Sequence, residues 1–174
     1  YMKLYFTEAI EIYIFALNQC DCTMKTFNSI EEILHFAINS EQESVDFYTR
    51  LSGQARNLEM KQIFAQYAHE EMTHKARLVS IRDSGQFIIS TEEVNDLKIS
   101  DYLVDIFPGP DLTYAEALVV AMKKEKAAFR LYLDLAGRTN DQDIKDVFMT
   151  LALEESKHKL RFEIEYDQHV MKEN

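Results

Sequence analysis

The sequence predicts an all-α protein, a four-helix bundle made of two antiparallel helical hairpins joined by a long crossover that contains a short helix. Three observations carry this reading. Four stripes of core-type residues recur at steps of three and four, the spacing of one helix face. Glycine and proline are scarce, at four and two in 174 residues. The second half also repeats the first at an offset of 84 positions without an insertion, from Ala37/Ala121 through Tyr48/Tyr132, Phe64/Phe148 and Glu70/Glu154 to Arg77/Arg161.

The first helix opens at Ser29-Ile30-Glu31-Glu32, which has capping-box spacing. Its stripe runs Ile30, Leu34, Ala37, Glu41, Ser44, Tyr48, Leu51, with a stop expected at Gly53. After a short turn the second stripe is Met60, Phe64, Tyr67, Glu71, His74, Leu78, Ile81, ending near Gly85. So short a link makes the two helices antiparallel neighbours. The third helix opens with a second capping box, Thr113-Tyr114-Ala115-Glu116, and runs through Leu118, Ala121, Glu125, Ala128, Tyr132 and Leu135 to Gly137. The fourth carries Ile144, Phe148, Leu151, Glu155, His158 and Phe162. Between the hairpins, residues 86–112 are too long for a simple turn; a short helix is expected near Glu92 to Ile106, stopped by Pro108-Gly109-Pro110.

Residues 1–27 read as an N-terminal extension with a short amphipathic helix, and residues 28–174 as one bundle domain. The longest apolar run in the extension, Ile12 to Leu17, is too short to span a bilayer, and Glu8 and Glu11 interrupt what a signal peptide would keep apolar. No membrane association is expected. A net charge of −11 argues against binding nucleic acid, which requires a basic patch, and makes cations the natural partners. The two cysteines, Cys20 and Cys22, form neither a disulfide framework nor a zinc site, as expected of a cytoplasmic protein.

The polar residues on the core-facing stripes carry the chemistry. Glu41 is followed 30 residues later by Glu71 and then His74; Glu125 is followed at the same distance by Glu155 and then His158. An ionised carboxylate among apolar neighbours costs several kcal/mol, and four facing one another cost more. Cations or protons must compensate them. A Glu and a His three positions apart lie one turn apart on one helix face, so both can reach one ion while the glutamate's second oxygen bridges to another. Four glutamates and two histidines from a duplicated hairpin are the ligand set of a two-metal carboxylate site. Tyr48 and Tyr132, two turns beyond Glu41 and Glu125, need hydrogen-bond partners if buried, and the ligating carboxylates are the expected acceptors. Glu70 and Glu154 are duplicated but sit one step off the stripe, as solvated residues or outer partners of the ligands. His35, His69 and His169 have no duplicate and read as surface or packing residues.

These motifs, Ala68-His69-Glu70-Glu71-Met72-Thr73-His74 and Ala152-Leu153-Glu154-Glu155-Ser156-Lys157-His158, each preceded by a helix with Glu and a Tyr seven residues on, resemble the rubrerythrin branch of the ferritin-like superfamily. The resemblance covers residues 28 to 170. It implies that Glu71 and Glu155 bridge two iron ions, that Glu41 and Glu125 are terminal carboxylates, and that His74 and His158 each supply one nitrogen. It also implies reduction of hydrogen peroxide or dioxygen, and a homodimer is expected. The ligand chemistry admits manganese or mixed occupancy as well. Two features depart from the pattern. The four-cysteine rubredoxin-like domain of full rubrerythrins is missing from this sequence, so electrons are expected from an external donor such as a rubredoxin or a flavoprotein. The extra glutamate one turn beyond the third-helix ligand is Ala128, opposite Ser44 in the first copy, which leaves the iron movement associated with that glutamate unsupported. Two other readings of the same site stand beside this one: a ferroxidase that handles iron, and a non-catalytic protein stabilised by its metals.

Overall fold

The computed structural model describes residues 26–55, 58–89, 94, 97–98, 101–104 and 112–173, with the side-chain surroundings of 169–173 excepted. The expected N-terminal helix, Cys20, Cys22, the His169 side chain and most of the expected crossover helix between Glu92 and Ile106 fall outside what is described. Four long helices form the fold: α1 Ile30–Gln54, α2 Leu58–Ser84, α3 Tyr114–Arg138 and α4 Gln142–Glu173. Helix α1 pairs with α2 and α3 with α4, whereas the backbones of the two hairpins approach each other far less. Large side chains fill that gap, among them the fully buried Tyr48, Tyr132, Phe64, Phe148 and Phe162, each contributing about 1.5–3 kcal/mol by its burial.

The helix starts follow local chemistry. Thr113 and Glu116 make the full capping box at α3, each side chain accepting from the other's backbone. At α1 the Ser29 hydroxyl accepts from the Glu32 backbone N–H, but the Glu32 carboxylate reaches one residue further back, accepting from the Asn28 backbone at 2.8 Å and its side-chain amide at 3.0 Å. The reciprocal half of the expected box is thus displaced, and Asn28 takes the role that the Ser29 N–H would have had.

The helix ends correct the sequence reading in two places. Gly53 and Gly137 do not stop their helices; α1 continues to Gln54 and α3 to Arg138, and each ends on an extended residue, Ala55 or Thr139. Among the described glycines only Gly85, after α2, adopts the left-handed conformation of a helix-terminating glycine, with φ 62°.

Two apolar clusters divide the bundle lengthwise. One gathers Leu34, Leu78, Leu131, Leu135 and Phe148 and takes in Tyr132; the other gathers Leu51, Met60, Phe64, Leu118 and Phe162 and takes in Tyr48. The described crossover residues cover the first cluster: Phe87, Val94, Leu97 and Tyr102 are buried against it, and Tyr102 donates to Asp134 at 2.7 Å. Phe27 packs on Phe36 and Tyr102, and Thr26 bridges to Lys98, so the start of the chain's described part is strapped to the crossover.

The three described glycines have opposite expected responses to alanine. Gly53→Ala and Gly137→Ala should each raise stability by roughly 0.5–1 kcal/mol, because an added Cβ meets nothing within 4 Å in a right-handed helix. Gly85→Ala should lower it by about 1 kcal/mol, because its φ is disfavoured for any residue with a Cβ. Denaturant unfolding of the three variants checks both signs.

Candidate metal centre

Between the two apolar clusters lies a polar layer. Glu41 comes from α1, Glu71 and His74 from α2, Glu125 from α3, and Glu155 and His158 from α4; all six are at most 3% exposed. Small residues flank the two single-helix ligands, Ala37 and Ser44 one turn either side of Glu41, Ala121 and Ala128 either side of Glu125. That keeps the seam between α1 and α3 free of bulk at the level of the carboxylates.

The six side chains converge as two interlocking groups. Glu41, Glu71, His74 and Glu155 bring one ligand-type atom each within 4.8 Å of one another, and Glu71, Glu125, Glu155 and His158 do the same. Glu71 and Glu155 belong to both groups. Both histidines turn Nδ1 inward: His74 Nδ1 lies 3.1 Å from Glu71 and 2.8 Å from Glu155, and His158 Nδ1 lies 3.2 Å from Glu71 and 3.5 Å from Glu125. Four buried atoms in this layer have no hydrogen-bond partner: Glu71 Oε1, Glu125 Oε2, Glu155 Oε1 and His158 Nδ1. The 2.8 Å approach of His74 to Glu155 is therefore close contact without hydrogen-bond alignment. Buried polar atoms are rarely left unpaired, and three carboxylate oxygens and one imidazole nitrogen left so within two overlapping ligand groups fit a pair of divalent cations.

The residues around this layer are fixed by a second set of contacts. The Tyr48 hydroxyl donates to Glu125 and the Tyr132 hydroxyl to Glu41, so each tyrosine serves the carboxylate of the opposite hairpin. The outer nitrogens of the histidines are held in the same crossed fashion. His158 Nε2 bonds Glu70 at 2.6 Å, and His74 Nε2 lies 3.1 Å from Glu154. With Nε2 facing an outer carboxylate, each ring would keep a proton there and offer its Nδ1 lone pair to a bound ion; without one, His74 Nδ1 is hydrogen-bonded to Glu71 at 3.1 Å. Of the two readings for Glu70 and Glu154, solvated residue or outer partner, the structure places them as outer partners. His35 and His69 are exposed.

One participant was missed. Tyr67 stacks on the His158 ring with centroids 4.1 Å apart, and burial raises its phenol to about 12. As part of an aromatic and aliphatic stripe it reads as core. The available signal was that its duplicate position holds Leu151, which marks the two halves as different there.

Sequence comparison matches residues 32–166 to the rubrerythrin family. The chain belongs to the rubrerythrin family. Two solved structures support the fold at 24% identity each. One, from Thermotoga maritima and proposed to be a ferritin-like diiron-carboxylate protein, superposes with a TM-score of 0.67 over 83% of this chain and 99% of its own. The other, a hypothetical protein from Pyrococcus furiosus, gives 0.63 over 80% and 89%. A search of curated proteins finds no match. No helix among the described residues is long and apolar enough to cross a membrane.

Without metal, protons must do what cations would do for this rubrerythrin-family centre. Burial, and then the charge of Glu71, raises Glu41 and Glu155 well above the usual carboxylate range. Burial presses upward on Glu71 too, but contacts from His158 and His74 hold it below that range. Burial alone would lower His158, yet Glu125 and Glu71 outweigh it and raise the imidazole to about 11. Groups with raised pKa bind more protons folded than unfolded, and that stability is lost as pH rises through the folded values. For Glu41 and Glu155 the loss begins above the ordinary 4.5, and for His158 it extends to about 11. The contribution of Glu71 is lost only on acidification below 4.5. The metal-free protein should therefore melt at its highest temperature in mildly acidic buffer and at progressively lower temperatures toward basic pH. Melting temperatures that climb steadily with pH would contradict this.

Proposed function

We propose that this protein is a two-metal oxidoreductase of the rubrerythrin type, reducing hydrogen peroxide or dioxygen with electrons from an external donor such as a rubredoxin or a flavoprotein. The observation that carries the reading is that Glu71 and Glu155 each belong to both ligand groups. Two carboxylates shared between two sites are what a bridged pair of ions requires. Iron is the metal proposed, with manganese compatible with the same oxygen and nitrogen donors. When bound, the ion pair would supply the two electrons that take one peroxide to water.

The chain's own residues prepare that chemistry. Glu71 and Glu155 would bridge; Glu41 and His74 would complete one position, and Glu125 and His158 the other. The Tyr48 and Tyr132 hydroxyls each occupy one oxygen of a terminal carboxylate, and the second oxygen of Glu125 has no hydrogen-bond partner. Tyr48 keeps its proton, because burial and then the nearby Glu125 raise its pKa well above the usual phenol value. The apolar clusters above and below exclude water, so the field of the four carboxylates acts undiluted.

Metal content per chain tests the ligand roles. Glu71→Ala or Glu155→Ala should lose both ions, whereas His74→Ala or His158→Ala should lose mainly one, because a bridge serves two ions and a terminal ligand one. Equal losses in all four variants would overturn the assignment. The activity is tested by adding peroxide to the iron-loaded protein with an artificial electron donor. Sustained turnover is expected, while a single round of Fe(II) oxidation with no turnover would favour iron handling instead.

A further inference from the structure

The ligand spacing repeats between the halves, but the contacts behind the two histidines do not. On the His158 side, Glu70 bonds Nε2 through Oε2 at 2.6 Å, and its other oxygen accepts from the neutral Gln66 amide at 2.7 Å. On the His74 side, one and the same oxygen, Glu154 Oε2, faces Nε2 at 3.1 Å and accepts from the Arg77 guanidinium at 2.7 Å. The cation lies nearer that oxygen than the imidazole does. Arg161, the duplicate of Arg77, does not do the same for Glu70; it pairs with Glu59 at 3.0 Å. Tyr67 also braces the His158 ring, where the other half has Leu151.

An imidazole is a stronger donor at Nδ1 when a carboxylate draws on its Nε2 proton, and a carboxylate already engaged by a guanidinium draws less. We propose that the two metal positions are inequivalent, with the position at His158 binding a divalent ion before, and more tightly than, the position at His74. Arg77 and Glu70 are the positioning residues that set the difference. The inference rests on the two-metal site proposed above and adds an order of filling that the repeated ligand spacing does not contain.

Mn(II) is the probe. In crystals of the full chain carrying one equivalent of Mn(II), the anomalous peak should stand at the His158 position, and calorimetric titration of metal-free protein should resolve two steps. Glu70→Gln should weaken the first step by about 10- to 100-fold, the usual cost of removing an outer partner of a ligand. Arg77→Gln should tighten the second step and narrow the gap. Both side chains are 36% exposed, so neither change disturbs the core. Equal peaks, filling at His74 first, or steps unmoved by both substitutions would overturn the inference. Mn(II) binding at neither position would overturn the metal centre as well, which separates the two failures.

Discussion

A layer of four carboxylates cannot sit between two hydrophobic clusters unless something compensates its charge, and the rest of this structure is arranged around that constraint. Glu41, Glu71, Glu125 and Glu155 are almost completely buried, in surroundings where an unpaired ion costs several kcal/mol. The compensation available without metal is visible in the upward shifts of Glu41, Glu155 and His158. Two divalent cations would replace those protons and leave the layer neutral. Stability and metal binding are therefore one problem here, because metal affinity for the folded state adds directly to folding free energy.

The same layer ties the hairpins together. Their backbones make few close approaches, so cohesion between them comes from side chains, and the polar ones are crossed. Tyr48 of the first hairpin serves Glu125 of the second, Tyr132 serves Glu41, Glu70 serves His158, and Glu154 faces His74. Each tyrosine has its ring in one apolar cluster and its hydroxyl in the polar layer. A hydrophobic pairing of the hairpins alone would tolerate small slips along the bundle; these directional contacts admit one register.

Much of this was legible in the sequence because duplication removes coincidence. One Glu-x-x-His on a helix says little, but two at identical spacing, each preceded by a core-facing glutamate, define a bundle and six inward side chains. The helix ends were read less well. Gly53 and Gly137 look like stops, yet each helix runs one residue past its glycine, and a glycine without a left-handed φ has no terminating power. The crossed pairings were also out of reach, since periodicity places residues on a face without saying which partner faces them. Arg77 and Arg161 show the limit most clearly: identical in type and register, they make different contacts, with Glu154 and with Glu59.

The position of Ala128 completes the charge argument. It is partly buried against the first apolar cluster, and its duplicate Ser44 is buried as well. A glutamate at either place would add a fifth carboxylate to a layer that two divalent ions just neutralise, and the surplus charge would need another cation, a proton or access to water. The alanine avoids that cost and lets the layer close. What the chain has instead is a buried layer in which four carboxylates, two imidazoles and two tyrosine hydroxyls already face one another. Little reorganisation is then needed when protons in the layer give way to divalent cations.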